Sequence, residues 1–195
     1  MGGKSSRMGT DKSQLVVSLS DFASGRIVPK AEQDQRTTLA ELAQSKLKCY
    51  VDEVYFSINT NQKHLELSNT IIDRFEEEGP LSGIISALKT LQQSILVIGV
   101  DMPLVTKQSI KKLIKHRDWD LLSTTYYNNE TKIWEPMLSI WEIEALPCIE
   151  EYFDSGERSF QKFLNKFGNQ PVPITDEKEF TNVNTMEEYE KISLT

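Results

Sequence analysis

The sequence is poor in cysteine: Cys49 and Cys148 stand far apart, with no Cys-x-x-Cys and no paired histidine. That argues against a disulfide framework and against zinc-ligand spacing, and it fits a reducing compartment. A basic excess is also missing, since the formal net charge is −7. A surface built to neutralise phosphates along a nucleic acid would carry the opposite sign, so nucleic-acid binding is not expected. No apolar run approaches the roughly 18 residues of a membrane span, and the N-terminus has no apolar core of a signal peptide. No membrane contact is expected, and the cytoplasm is the expected location. Internal repeats and low-complexity segments are absent, and His64 and His116 are isolated, so neither is assigned acid/base work.

What is present is alternation. With 195 residues the chain has the length of one domain, expected over 1–195 and large enough to bury a core. Short β-branched or aromatic runs over 54–58, 95–100, 121–126 and 137–141, with a shorter one at Ile71 and Ile72, read as strands. The run over 95–100 is apolar almost throughout, as a central parallel strand would be. Between the strands, Leu39, Leu42, Ala43 and Leu47 recur at helical spacing, as do Ile84, Ile85, Leu88 and Leu91, and then Ile110, Leu113 and Ile114. Ile143, Leu146, Ile149 and Phe153 form another stripe, and Phe160, Phe163, Leu164 and Phe167 an aromatic one, both read as core. Thr185 with Glu188 reads as a capping box opening a last helix. The pattern predicts a doubly wound α/β fold, a mixed but mainly parallel sheet with helices on both faces.

The opening run MGGKSSRMGTDKS concentrates anion-binding chemistry. Gly2, Gly3 and Gly9 permit close backbone approach, Ser5 and Ser6 add hydroxyls, and Arg7 and Lys12 bring positive charge. A phosphate chain suits such a loop. A Walker A loop does not, because the earlier glycine of that motif would fall before Met1. Taken alone, the run reads equally as a solvated tail.

Polar residues directly after strands carry weight in a doubly wound sheet, where ligands collect beyond the strands' carboxyl ends. Such residues occur at Asn59, Asp73, the GPLSG turn over 79–83, Asp101 with Met102 and Pro103, and Asn182 with Asn184. Asp101 is the sharpest: a carboxylate at a strand end before a proline suits Mg²⁺ held against phosphate oxygens, with a turn or capping aspartate as the alternative. Asp73 is suited to accept hydrogen bonds from a base or sugar, or is a plain turn residue.

GGKSSRMGTDK, Asp73, GPLSGI, VDMPL and NVNT occur in an order that resembles the molybdenum cofactor guanylyltransferases, over nearly the whole chain. The resemblance implies a nucleotide-diphospho-sugar transferase-like fold and transfer of GMP from GTP to molybdenum-bearing molybdopterin, with Mg²⁺ and release of pyrophosphate. It implies that Gly2 and Gly3 touch the nucleotide and Lys12 its phosphates. Asn59 and Asp73 would meet the guanosine part, Asp101 the Mg²⁺, and Asn182 and Asn184 the reacting phosphates. Arg7 would bind phosphate or brace the loop. Recipient molybdoenzymes or cofactor-delivery proteins are the further partners it implies.

Two departures accompany the resemblance. The family carries an apolar strand ending in Leu-Ala just before the Gly-Gly pair, which here stands at Gly2 and Gly3; the first strand is expected either to lie upstream of Met1 or to be lacking in an impaired chain. The segment 16–37 is also longer and more polar than the family's. Competing readings are a molybdopterin cytidylyltransferase, another small-molecule nucleotidyltransferase, and a noncatalytic nucleotide-binding protein.

Overall fold

The computed structural model describes residues 16–18, 36–65, 67, 69–75 and 79–183. These fall into two compact units.

The larger unit holds residues 55–98 and 108–175. Strand β3 (Phe56–Ile58) pairs in parallel with β4 (Thr70–Ile72), and a 3-10 turn (Thr60–Leu65) runs between them. Helix α2 (Pro80–Leu91) packs on both strands. A second sheet follows in the order β5-β7-β6-β8, formed by β5 (Ile95–Ile98), β6 (Ser123–Asn128), β7 (Ile133–Trp141) and β8 (Asn169–Pro173). Helices α3 (Lys107–Lys115), α4 (Ala145–Asp154) and α5 (Phe160–Lys166) complete the described elements of this part of the chain.

The apolar run expected to form a central parallel strand ends two residues early, at Ile98, and its partner β7 is antiparallel, from Ile95 opposite Trp141 to Ile98 opposite Leu138. An apolar run records burial of both faces, not the direction of the neighbour. Strand β7 is antiparallel to β6 as well, and β6 is parallel to β8, so β5, β6 and β8 share one direction. Strand β7 begins at Ile133, earlier than the predicted Met137, because the ladder with β6 resumes beyond an irregularity between Thr125 and Tyr126. The Ser139 hydroxyl donates to the Pro136 carbonyl at 2.6 Å within that irregular stretch.

The core of this unit joins Leu81, Ile84, Ile85 and Leu88 of α2 to Trp141, Ile149, Phe153, Phe163 and Leu164. Both downstream stripes read as core are therefore core, and Tyr152 meets the Phe163 ring edge-on at 5.2 Å. Ile110 and Leu113 of α3 are fully buried, whereas Ile114, expected on the same face, is exposed. Past α3, the Arg117 guanidinium grips the buried Glu142 carboxylate with two hydrogen bonds, of 2.7 and 2.6 Å, and Ser94 donates to the same carboxylate at 2.6 Å. Burial works to raise the Glu142 pKa, but these hydrogen bonds and the Arg117 charge prevail and hold it below the ordinary value.

Strand β8 was not predicted; two of its five residues are prolines, Pro171 and Pro173, which cannot donate to a ladder. Among the described strands it lies at the sheet's edge, and its inward bonds are made by alternate residues: Leu122 N–H donates to Gly168 O at 2.9 Å and Ile174 N–H to Tyr127 O at 3.3 Å. The Lys112 ammonium donates to Pro173 O at 2.6 Å.

The smaller unit comprises residues 39–54, 99–107 and 176–183 together with a two-stranded antiparallel pair. That pair is β1 (Val16–Ser18) with β2 (Arg36–Thr38), in the register Val16 to Thr38. The long polar segment 16–37 thus opens and closes on one ladder. Helix α1 (Leu39–Leu47) follows directly, and Leu39, Ala40, Leu42, Ala43 and Leu47 are buried as their spacing predicts. Met102, Val105, Phe180 and Val183 are buried in the same unit. No helix among the described residues is long and apolar enough to cross a membrane.

Candidate functional site

In the larger unit the predicted site residues Asn59 and Asp73 stand immediately after the paired strands β3 and β4. Parallel pairing of Ile58 with Ile72 brings the two strand ends together, and Asp73 N–H donates to Ile58 O at 2.8 Å. Asn59 N–H donates to the Gln62 side chain at 3.1 Å, which fixes the start of the 3-10 turn. The Ser57 hydroxyl donates to Asp73 Oδ1 at 2.6 Å. Burial raises the pKa of this carboxyl, and the Ser57 hydrogen bond opposes the rise.

Helix α2 closes on this pair through the GPLSG turn. Gly79 takes φ of 83° ahead of Pro80 in the first helical turn, a left-handed backbone position that glycine occupies without strain. Ser86 accepts the Arg74 N–H at 2.9 Å, so the helix also grips the chain just past Asp73. Gly83 is the point of closest approach: a Cβ there would stand 2.9 Å from Ser57 Oγ and 3.5 Å from Asp73 Oδ1. Gly83→Ala is therefore expected to destabilise the protein by about 1 kcal/mol net. Overpacking costs roughly 1–3 kcal/mol, which outweighs the gain of about 1 kcal/mol in helix propensity. Thermal unfolding checks this, with Ser57→Ala in the same chain expected to restore the loss; a stable single variant would refute the close packing.

In the smaller unit the chain turns directly after β5. Met102 N–H donates to Gly99 O at 3.2 Å, and Val183 N–H donates to Asp101 O at 2.9 Å. That bond sets Asn182, one residue earlier, beside the Asp101 turn. Among the described residues, Asn182 Oδ1 is buried without a hydrogen-bond partner. A buried polar atom of this kind is costly unless a ligand or an ordered water completes it.

Two further residues hold the same turn, and the sequence reading did not single them out. Lys46 of α1 is 2% exposed and donates from Nζ to Pro103 O at 2.9 Å. Burial lowers its pKa to about 7, against the pull of the Glu179 carboxylate, which raises it. Glu179, in a 3-10 turn (Glu177–Phe180), accepts from Thr106 N–H at 3.3 Å and from the Thr106 hydroxyl at 3.2 Å. A signal for Lys46 was available: Leu39, Leu42, Ala43 and Lys46 fall at i, i+3, i+4 and i+7, which puts the lysine on the buried stripe.

The structure thus assembles Ser57, Asn59, Asp73 and Gly83 in one unit and Asp101 and Asn182 in the other. Gly2, Gly3, Arg7, Lys12, Asn184 and the Thr185–Glu188 capping box lie outside the described residues. Among the described residues no three His, Cys, Asp or Glu side chains gather as a metal cage.

The fold is that of the nucleotidyltransferases of this α/β type. It is similar to the crystal structure of molybdopterin-guanine dinucleotide biosynthesis protein A from Archaeoglobus fulgidus, with a TM-score of 0.69 at 19% identity over 99% of this chain and 94% of that one. A family model described as the MobA-like NTP transferase domain matches residues 1–171, and the chain belongs to that family. Among curated relatives, a probable molybdenum cofactor guanylyltransferase of Carboxydothermus hydrogenoformans is 25% identical over 98% of this chain and 91% of its own length. A molybdenum cofactor biosynthesis bifunctional protein of Synechocystis is 26% identical over 98% of this chain, which spans about half, 52%, of that relative.

Proposed function

We propose that the protein transfers GMP from GTP to molybdenum-bearing molybdopterin, giving the guanine dinucleotide form of the cofactor and pyrophosphate. The observation that carries this reading is the buried, unpartnered Asn182 Oδ1 held beside the Asp101 turn by the Val183 N–H to Asp101 O bond of 2.9 Å. The residue beside that backbone bond carries an amide oxygen, and the turn itself carries a carboxylate; both are hard oxygen donors of the kind that suits Mg²⁺, which is commonly bound through one or two protein groups with the rest from water and phosphate.

In the reaction, a terminal phosphate oxygen of the pterin forms a bond to the α-phosphorus of GTP. The α–β bridging bond breaks, and its electron pair leaves with pyrophosphate. No protein nucleophile is needed; alignment and charge neutralisation suffice. Asp101 and Asn182 would hold Mg²⁺, which when bound supplies positive charge against the phosphate oxygens. Gly2 and Gly3 approach the nucleotide, Lys12 and Arg7 neutralise its phosphates, and Asn184 lies near the reacting groups. Asn59 and Asp73 bind the guanosine part, Asp73 being steadied by Ser57 at 2.6 Å.

Calorimetric titration with the four nucleoside triphosphates and Mg²⁺ tests the reading. GTP is expected to bind tightest. Tighter binding of CTP would transfer the assignment to a cytidylyltransferase, and GTP binding without pyrophosphate release in the presence of the pterin would reduce the protein to a binding module.

A further inference from the structure

We propose that Lys46 is a positioning residue for catalysis, fixing the Asp101–Pro103 turn from beneath through its hydrogen bond to the Pro103 carbonyl. The inference rests on the reading of Asp101 as the carboxylate that holds the metal. Its starting point is the 2% exposure of Lys46, on a helix whose other stripe positions are leucine and alanine. An apolar side chain there would fill the core without the desolvation cost that a buried ammonium carries. The lysine is compensated by a specific geometry, Nζ to Pro103 O at 2.9 Å, and by the Glu179 carboxylate, whose charge acts on it.

The short stretch from Asp101 to Thr106 is consequently held at three places by three parts of the chain. Helix α1 holds Pro103 through Lys46, the 3-10 turn holds Thr106 through Glu179, and Val183 holds the Asp101 carbonyl. All of these residues lie in one compact unit. None of the three bonds is made through the Asp101 side chain; they fix the backbone that carries it. Lys46 is the one cation among these anchors. Displacement of a catalytic group by about 1 Å can cost on the order of 100-fold in rate, so a brace at this point bears on turnover more than on nucleotide binding.

The test compares Lys46→Met, which keeps an unbranched side chain as far as the ε position and removes the ammonium, with the unmodified protein in pyrophosphate release from Mg²⁺-GTP and molybdenum-loaded molybdopterin. Lys46→Met is expected to lower kcat roughly 10-fold or more and to raise the Mg²⁺ concentration for half-maximal turnover. Affinity for GTP measured without metal should stay within about twofold, since the expected loss lies in alignment and not in uniform binding. Lys46→Gln, which retains an N–H donor, should recover part of the rate, and it carries the same comparison if the methionine variant does not fold. Unchanged kcat and Mg²⁺ dependence would overturn the inference, as would metal-free GTP affinity falling in step with kcat. Asp101→Asn serves as the control. If it is inactive while Lys46→Met is fully active, only the positioning role fails; if it is active, the underlying reading of Asp101 fails.

Discussion

Asp101→Ala is expected to lower pyrophosphate release at least about 100-fold while leaving the protein folded. The size follows from the role: charge placed against phosphate oxygens in the transition state is worth roughly 10²–10³ in rate when one preorganised partner is removed. The preservation of the fold follows from the structure. Asp101 contributes its backbone carbonyl, not its carboxylate, to the bond with Val183 N–H. That bond survives truncation of the side chain, and the neighbouring Met102 and Val105 keep their buried positions. Steady-state turnover and thermal unfolding, measured on the same preparation, separate the two effects. A variant with near-normal turnover would remove Asp101 from the metal site, and one that is inactive because it unfolds would show that the turn contributes more to stability than to charge.

Lys12→Ala is expected to reduce kcat/KM for GTP by about 100-fold, with losses in both binding and kcat. In the proposed role the Lys12 ammonium would interact with the triphosphate in the ground state and gain as negative charge moves onto the leaving pyrophosphate, so the effect divides between the two parameters. Lys12→Arg should rescue poorly, because a planar guanidinium does not replace a compact point charge. Initial rates across a range of GTP concentrations decide it. Full activity in Lys12→Ala would return MGGKSSRMGTDKS to the reading of a solvated tail.

The sequence carried the positions of the candidate residues where a residue's chemistry and its place after a strand coincide. Asp73 and Asp101 were legible for that reason, and so was the GPLSG turn, where the structure puts Gly79 at positive φ and Gly83 against Ser57 and Asp73. Ser57 was not legible: its hydroxyl matters only because parallel pairing of β3 and β4 sets it beside Asp73, and one strand's sequence does not contain its partner's register. Lys46 was hidden by its type, since a lysine in an amphipathic helix ordinarily marks the wet face. Glu179 was hidden by distance along the chain. In the fold, burial periodicity located α1, α2, α4 and α5, whose apolar faces repeat regularly. It failed at β8, where prolines mask an edge strand, and it could not give the direction of β7.

Those prolines have a consequence for how molecules of this protein meet one another. In β8 the even-numbered backbone groups turn toward β6, as the bonds at Gly168 and Ile174 show, so Pro171 and Pro173 turn their backbones outward. Neither has an N–H to offer there, and the Pro173 carbonyl is already occupied by Lys112. A foreign strand arriving at that margin finds two missing donors and a capped acceptor where a continuous ladder would be needed. Proline and lysine are means by which sheets avoid recruiting one another. The feature that concealed β8 from a reading of the sequence is the one that lets the sheet end there without seeding a polymer.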